Sequence, residues 1–503
     1  MIETFFSNLN MGLETFLHWH NVLAVFVGVA TGIFIGSIPG MTATMAVALL
    51  VPLTFTLEPV TALALLIGVY KGGIYGGSIA AILINTPGTP AAAATALDGF
   101  QLAQQGKGKK ALKMAIYASV LADILSDIVL ILVAAPLAAA ALQLGPPERA
   151  TLLLLAMTIV GAVSGHSLLK GLMAAFLGLL FATVGTDFMT GTIRFSFGSG
   201  ELAKGIGLIP LLIGLFAIPE LLVQIERKVK GRRSVIVTTS ADPADNRVSW
   251  AEFRASLRTI LRSTGIGTFI GAIPGIGSVV AAFISYGMAK RASKTPEAYG
   301  RGSLDGVAAA ESGNNAVCGA TLIPLLTLGI PGDSVTAVML GAFLIQGLVP
   351  GPSLITDHPG TVYGLFVALM FGNVANFIVA NLGIRVFTVV ARTSMSLVFP
   401  VVAVLCAVGS YAIDNSFLDV KVMLFFGAVG YFMRKFDFPI PPLLIAFVLG
   451  PMMESAMKQS LIMSQGSPQI FVSRPVSLAF VLATVIVVAA MVRRHLRVRS
   501  ETA

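Results

Sequence analysis

Charge is what this sequence has least of. Asp, Glu, Lys and Arg make up 11% of its 503 residues, under half of what a water-soluble domain carries. With 56% hydrophobic residues and a mean hydropathy of +0.88, an ordinary soluble fold of this length is excluded. Cysteine is almost missing: Cys318 and Cys406 stand in separate apolar stretches, which excludes a disulfide framework and leaves two small packing residues. The five histidines are scattered, and neither HExxH nor GxSxG occurs. The glycines form neither a phosphate-binding loop nor a dinucleotide fingerprint. The chain therefore reads as no enzyme, with no cofactor and no metal beyond a coupling Na+ or H+. With no ATP site, uphill work would draw on an ion gradient or another subunit. No Lys or Arg precedes Lys71, so the basic start of a cleaved signal is not expected.

What the sequence has is apolar length. Windows near the ~20 residues needed to cross a bilayer recur along it, the clearest running from Val22–Ile38 to Val476–Val492. They are continuous rather than alternating, which excludes a transmembrane β-barrel. The expected fold is an all-α polytopic membrane protein in a lipid bilayer, with about 12 transmembrane helices plus re-entrant or broken ones. The net charge of +9 is local: Arg227, Lys228, Lys230, Arg232 and Arg233 flank one loop, and Arg493, Arg494, Arg497 and Arg499 lie near the end. Basic clusters beside apolar spans set orientation and stay in the cytoplasm, so no nucleic acid partner is implied. Residues 226–262 read as a basic cytoplasmic linker. It separates a first membrane repeat (1–225) from a second (263–410), with further helices and a basic tail in 411–503. The stretch SWAEFRASLRTILR within the linker has helical periodicity, and fits either a helix on the membrane surface or a solvated connector.

The two halves repeat each other. FIGSIPG (Phe34–Gly40) returns as FIGAIPG (Phe269–Gly275), and GGSIAAILINTPG (Gly76–Gly88) corresponds to CGATLIPLLTLGIPG (Cys318–Gly332). Loop charges relate the copies. After the first break, residues 53–60 carry one Glu and no base, whereas KRASKTPEAYGR carries four bases; after the second break, QLAQQGKGKKALK has four Lys and LIQGLVPGPSLITDHPG has no Lys or Arg. Matching loops thus belong on opposite faces, and the repeats are expected to be inverted.

A Pro-Gly break at membrane depth leaves exposed helix ends, tolerated only where protein or a water-filled cavity satisfies them. An N-terminal end offers free N–H groups and about half a positive charge, which suits a carboxylate. The residues expected to contact an anionic substrate are Pro39, Gly40, Thr42, Thr44, Thr86, Pro87, Gly88, Pro274, Gly275, Ser278, Pro331, Gly332 and Ser334. Amide and carboxylate oxygens of Asn85, Asn314, Asn315 and Asp333 suit a coupling cation. Ionisable residues inside spans are costly and usually face a cavity or a partner. Lys71 reads as an anion attractor or a snorkelling lysine, and Asp123 with Asp127, four apart, as a pair that binds a cation or relays protons, or that packs against a lysine or backbone donors. Tyr75 and Glu311 are further candidates near the breaks.

These motifs resemble a known family. YKGGIYGGSIAAILINTPGTPAAAATALDGFQLAQQGKGKKAL and ESGNNAVCGATLIPLLTLGIPGDSVTAVMLGAFLIQGLVPGP, with both IPG breaks, look like the signature regions of the large membrane subunit of tripartite tricarboxylate transporters. The resemblance covers most of residues 20–460 and implies a secondary transporter of the bacterial inner membrane with a cytoplasmic C-terminus. It further implies two partners, a small four-span membrane subunit and a periplasmic substrate-binding protein that captures an organic carboxylate, and uptake driven by a cation gradient. Many members carry Ser or another small residue where this chain has Asp333. An integral-membrane enzyme acting on lipid or polyprenyl substrates would need a cluster of His, Asp or Arg at one face, which is missing. A channel would differ by conducting continuously.

Overall fold

The computed structural model describes residues 2–163, 167–187, 189–229, 240, 242–390 and 395–502. Lys230, Arg232 and Arg233 of the basic cluster lie outside the described residues. The described chain is helical apart from one two-stranded hairpin, as its apolar periodicity requires. The first half runs through α1 (Ile2–Phe16), α2 (Trp19–Ser37), α3 (Ala43–Leu50), α4 (Pro59–Ile84), α5 (Ala92–Gln104) and α6 (Gly108–Ala141). Next come α7 (Pro146–Val163) and α8 (Leu168–Ala182), the hairpin of β1 (Gly185–Thr186) and β2 (Ile193–Arg194), and α9 (Leu208–Val229). The second half comprises α10 (Trp250–Gly271), α11 (Gly277–Ala292), α12 (Leu304–Ala320), α13 (Leu322–Leu328), α14 (Ser334–Ile345), α15 (Leu354–Asp357) and α16 (Pro359–Val390). The chain closes with α17 (Met395–Asp414), α18 (Phe417–Lys435), α19 (Ile440–Met463), α20 (Ile470–Ser473) and α21 (Pro475–Thr502).

Among the described residues six helices are long and apolar enough to cross a membrane, and five shorter apolar helices stand beside them, in keeping with a polytopic all-α fold of full and broken helices. The apolar windows 43–69 and 263–288 are cut at prolines and glycines into shorter pieces, whereas those within α7, α8, α9, α17 and α18 fold as single unbroken helices. The order of pieces is the same in both halves: α2, break, α3, α4, break, α5 and the long α6 correspond to α10, break, α11, α12 and α13, break, α14 and the long α16.

The α10 helix settles the reading of SWAEFRASLRTILR. Ser249 and Glu252 form a reciprocal capping box, and from there the helix runs unbroken to Gly271. Its buried face, Ser256, Thr259, Ile260, Ser263, Thr264 and Gly267, recurs at helical spacing and packs on α12. It is the first part of the broken helix of the second half, packed on α12 rather than standing free as a connector.

Backbone contact between α2 and α4 forms the densest part of the core. Gly28, Gly32 and Gly36 face Gly68, Gly72 and Gly76 at intervals of four residues, the small-residue spacing that lets membrane helices touch backbone to backbone. A Cβ at Gly32 would lie 2.4 Å from the Val69 carbonyl oxygen, and one at Gly72 would lie 2.3 Å from that of Val29.

The helix α6 spans about 50 Å at 1.5 Å per residue and so joins two ends of the molecule. At its start the linker is tied back: Ser240 N–H donates to Gly106 O at 3.0 Å, and Lys110 pairs with Glu252 at 2.5 Å. There Asp98 of α5 gathers the N–H groups of Gly300, Gly302 and Ser303 at 2.8–2.9 Å, and the Tyr286 hydroxyl at 2.9 Å. At the other end Ala141 lines a cavity with Ser455 and Gln459 of α19.

Gly32→Ala should lower stability by about 1–3 kcal/mol, because the backbone opposite cannot give way. Gly287→Ala on α11, whose Cβ would meet nothing within 4 Å, should be neutral or stabilising. Thermal unfolding of the two variants in detergent, compared with the unsubstituted protein, measures the difference.

Candidate functional site

Four chain breaks define the site. In the first, α2 stops at Ser37, Gly40 takes φ +84°, and Thr42 caps α3 by accepting from Met45 N–H at 3.2 Å. Its counterpart between α10 and α11 has Gly275 at φ +83° and Gly277 at φ +71°, values that disfavour a side chain. The break after α4 begins at Asn85 in the left-handed region (φ 53°). That geometry accounts for the asparagine as a helix C-cap, and it leaves the side chain exposed. The break before α14 ends at Asp333, which caps that helix: Thr336 N–H donates to its Oδ1 at 2.8 Å, and the Tyr70 hydroxyl donates to Oδ2 at 2.9 Å.

Within each half the two breaks touch. Gly88 lies so close to Gly36 that a Cβ would sit 2.4 Å from its carbonyl oxygen, and Gly88 N–H donates to Gly77 O at 3.1 Å. In the second half Gly275 N–H donates to Gly332 O at 2.7 Å. One contact then joins the halves: the Thr44 and Ser334 hydroxyls, 290 residues apart, are 3.0 Å from each other. Thr44 and Ser334 both sit in the first turn of their helices, so the N-terminal ends of α3 and α14 meet there. Pro39, Gly40, Thr42 and Ser278 are partly exposed, whereas Gly88, Pro331 and Gly332 are buried; Thr86 and Pro87 are partly exposed beside Asn85. The Asp333 carboxylate already occupies the N-terminus of α14, which makes the α3 end the more open of the two to an anion.

Beneath the breaks runs a buried polar seam at the meeting of α4, α6 and α12. Its residues recur at helical spacing: Lys71, Tyr75 and Ser78; Ser119, Asp123, Ser126 and Asp127; Glu311, Asn314, Asn315 and Cys318. Glu311 accepts from Ser78 Oγ at 2.5 Å, from Ser119 Oγ at 3.0 Å, from Asn315 Nδ2 at 3.3 Å and from the Thr95 hydroxyl. Tyr75 donates to Leu112 O at 3.4 Å. Asn314 is fully buried, with neither its amide nitrogen nor its oxygen partnered, and Asn315 Oδ1 is likewise free.

Lys71 does not snorkel. It is wholly buried, 2.9 Å from Asp127 Oδ2, 2.9 Å from Asn373 Oδ1 and 3.5 Å from Asp123 Oδ1. Reaching an aqueous face would take it through the middle of the 26-residue α4, and its partners stand one helical turn apart on α6. Space for the cluster comes from two glycines: a Cβ at Gly319 would fall 2.5 Å from Asp127 Oδ1, and one at Gly372 would fall 3.1 Å from Lys71 Cδ. Tyr70, Thr95, Asn373, Gly319 and Gly372 were not among the expected site residues. Only Asn373, a polar residue inside an apolar window, carried a visible signal.

Two cavities open at the far end of α6. One, of about 250 Å³, is lined by Arg149, Pro350, Gln459 and Ile330, next to the break before α14. The other, of about 550 Å³, shares Met452 and Ser455 with it and is lined by Lys204, Arg194, Lys458, Asp187 and Glu454. The Lys458 ammonium donates to Asp187 and holds that carboxyl well below the usual carboxylate range.

Removing the seam's one cation should be severe. Lys71→Ala strands two buried carboxylates and should cost about 3–5 kcal/mol. Adding Asp127→Asn should recover part of that loss, and thermal unfolding of the single and double variants measures the coupling.

Comparison with known proteins follows the same outline. No solved structure matches the chain. A protein of Agrobacterium vitis described as an uncharacterized 52.8 kDa protein in the TAR-I ttuC' 3' region is 37% identical over 492 residues, covering 96% of this chain and 95% of that protein. A second from the same organism, described as an uncharacterized protein in the TAR-II ttuC' 3' region, is 37% identical over 215 residues, covering 42% of this chain and 87% of that protein. The model of the tripartite tricarboxylate transporter TctA family matches residues 22–445, both repeats and all four breaks included. The chain is a multi-pass membrane protein and belongs to the tripartite tricarboxylate transporter TctA family.

Proposed function

We propose that the chain is the large transport subunit of a binding-protein-dependent secondary transporter that imports di- or tricarboxylates by cation symport. The observation that carries this reading is the meeting of α3 and α14, helix ends from different halves, at the Thr44–Ser334 contact. Opposed half-helix ends give a carboxylate N–H groups and hydroxyls. Thr42, Thr44 and Ser334 are the nearest ligands, with Gly40, Ser278 and Thr86 on adjoining breaks. The shared order of elements and the reversed loop charges support inverted halves, and rocking of one half against the other gives alternating access.

Orientation follows from charge. The end of the molecule holding Lys107, Lys109, Lys110, Lys290 and Arg291 faces the cytoplasm by the positive-inside rule. The cavities lined by Arg149, Lys204 and Lys458 then face the periplasm of a bacterial inner membrane, and the C-terminus is cytoplasmic. Arg149 in the first cavity, and the excess of Arg194, Lys204 and Lys458 over Asp187 and Glu454 in the second, suit an anion delivered by a periplasmic binding protein, and the exposed apolar face of α16 and α17 suits a small membrane subunit.

Energetics require the cation. Each negative charge entering an inside-negative cell meets about 2.3 kcal/mol per 100 mV, so a trianion meets roughly 7 kcal/mol. Two or three co-transported cations offset most of it. Oxygens of Asn314, Asn315 and Asp333 are the ligands proposed for the coupling ion, with Asn85 at the rim; the free amide of Asn314 is the most available.

Proteoliposomes holding both membrane subunits, with binding protein and labelled carboxylate outside, should accumulate the acid under an imposed proton or sodium gradient. No accumulation under either gradient would refute symport. Asp333→Ser keeps a residue that caps helices well and so should fold. It should change the cation dependence of uptake more than the preferred acid, and competition among unlabelled acids measures the second quantity.

A further inference from the structure

The acids of the buried cluster outnumber its base. Asp123 and Asp127 face the single cation Lys71, and all three side chains are fully buried. Asp127 Oδ2 takes the Lys71 ammonium at 2.9 Å and the Asn373 amide at 2.7 Å, which leaves Lys71 and Asp127 as a satisfied pair. Asp123 is the surplus acid. Neither of its oxygens has a hydrogen-bond partner, and Asp127 Oδ1 is free as well. A fully ionised cluster would bury one uncompensated negative charge, which a low-dielectric interior does not tolerate. A sodium ion seated on the free oxygens would meet the Lys71 ammonium, 3.5 Å from Asp123 Oδ1, as a like charge. A proton neutralises the cluster without that penalty.

We propose that Asp123 is the proton-carrying group of the transport cycle. Its carboxylate takes one proton from the periplasmic side to become a carboxylic acid, and gives that proton up to the cytoplasmic side when the halves rearrange. The inference rests on the symport reading above and makes a proton one of its co-transported cations, separate from the ion proposed at Asn314. The titratable and charged groups that act on Asp123 are Lys71 from α4, Asp127 from its own helix α6, and Cys318 from α12; α16 contributes the neutral Asn373. Elements of both halves thus enclose the acid, so relative movement of the halves changes its surroundings. The link to the substrate ends is one residue long. Tyr70, next to Lys71 on α4, donates to Asp333 at the N-terminus of α14.

The test uses the complete system of both membrane subunits with binding protein in proteoliposomes, and compares two transport modes. Counterflow of labelled carboxylate against an internal pool needs no net proton movement, whereas accumulation driven by a pH gradient does. Asp123→Asn should keep counterflow and lose pH-driven accumulation. Accumulation retained by Asp123→Asn would overturn the proposal. If the unsubstituted protein accumulates only under a sodium gradient, the proton site is refuted and symport stands; if it accumulates under neither, symport itself falls. Should Asp123→Asn lose both modes, infrared difference spectra between acid and neutral pH decide the matter. A protonated-carboxyl band present in the unsubstituted protein and shifted in Asp123→Glu supports the proposal, and a band that is missing or unshifted overturns it.

Discussion

A backbone N–H or C=O left unpaired in hydrocarbon costs several kcal/mol, so a membrane helix can break only where something else answers its freed groups. Four such breaks stand in matched pairs among the described residues, and the structure around them makes them tolerable. In the first half Gly88 lies against Gly36; in the second, Gly275 donates to Gly332. Helix ends are capped by Thr42, Asn85 and Asp333. The glycine ladder of α2 and α4 follows from the same need, since breaks can meet only if the helices carrying them lie backbone to backbone.

Burying charge is the second cost, and the structure offsets most of it with hydrogen bonds and one lysine–carboxylate cluster within the seam. Glu311 is met by four donors from α4, α5, α6 and α12. Lys71 and Asp127 are met by each other and by Asn373. Such clusters seldom raise stability over an apolar core, so their presence calls for a functional explanation. The seam runs directly beneath the helix ends that form the candidate carboxylate site. Tyr70 and Lys71, neighbours on α4, face Asp333 and the ionic cluster respectively.

The breaks, their pairing and the all-helical fold were legible because glycine and proline interrupt an otherwise apolar sequence in two matching places. Less legible was how long each apolar helix runs, since hydropathy averages over windows and cannot tell a full span such as α6 from a shorter helix such as α8. SWAEFRASLRTILR was legible only in part: its basic residues stand out in the sequence, while the burial of Ser256, Thr259 and Ile260 against α12 shows only in the fold. Lys71 could be read as snorkelling because Asn373, 302 residues away, cannot be assigned to it from sequence. Asp98, which clamps the loop at Gly300–Ser303, gave no signal at all; its partners are backbone N–H groups, which every residue but proline has.

The central claim is that helix ends of the two halves form one carboxylate site reached alternately from each side. Single-cysteine accessibility tests it most directly. Thr42→Cys and Ser278→Cys would each be placed in a background lacking the two buried thiols, Cys318 and Cys406. Membrane-impermeant thiol reagent would then be applied from one face or the other, with and without transported carboxylate. The account predicts labelling of both positions from either face, slowed by the carboxylate. Labelling from one face alone, at a rate the carboxylate does not change, would contradict it.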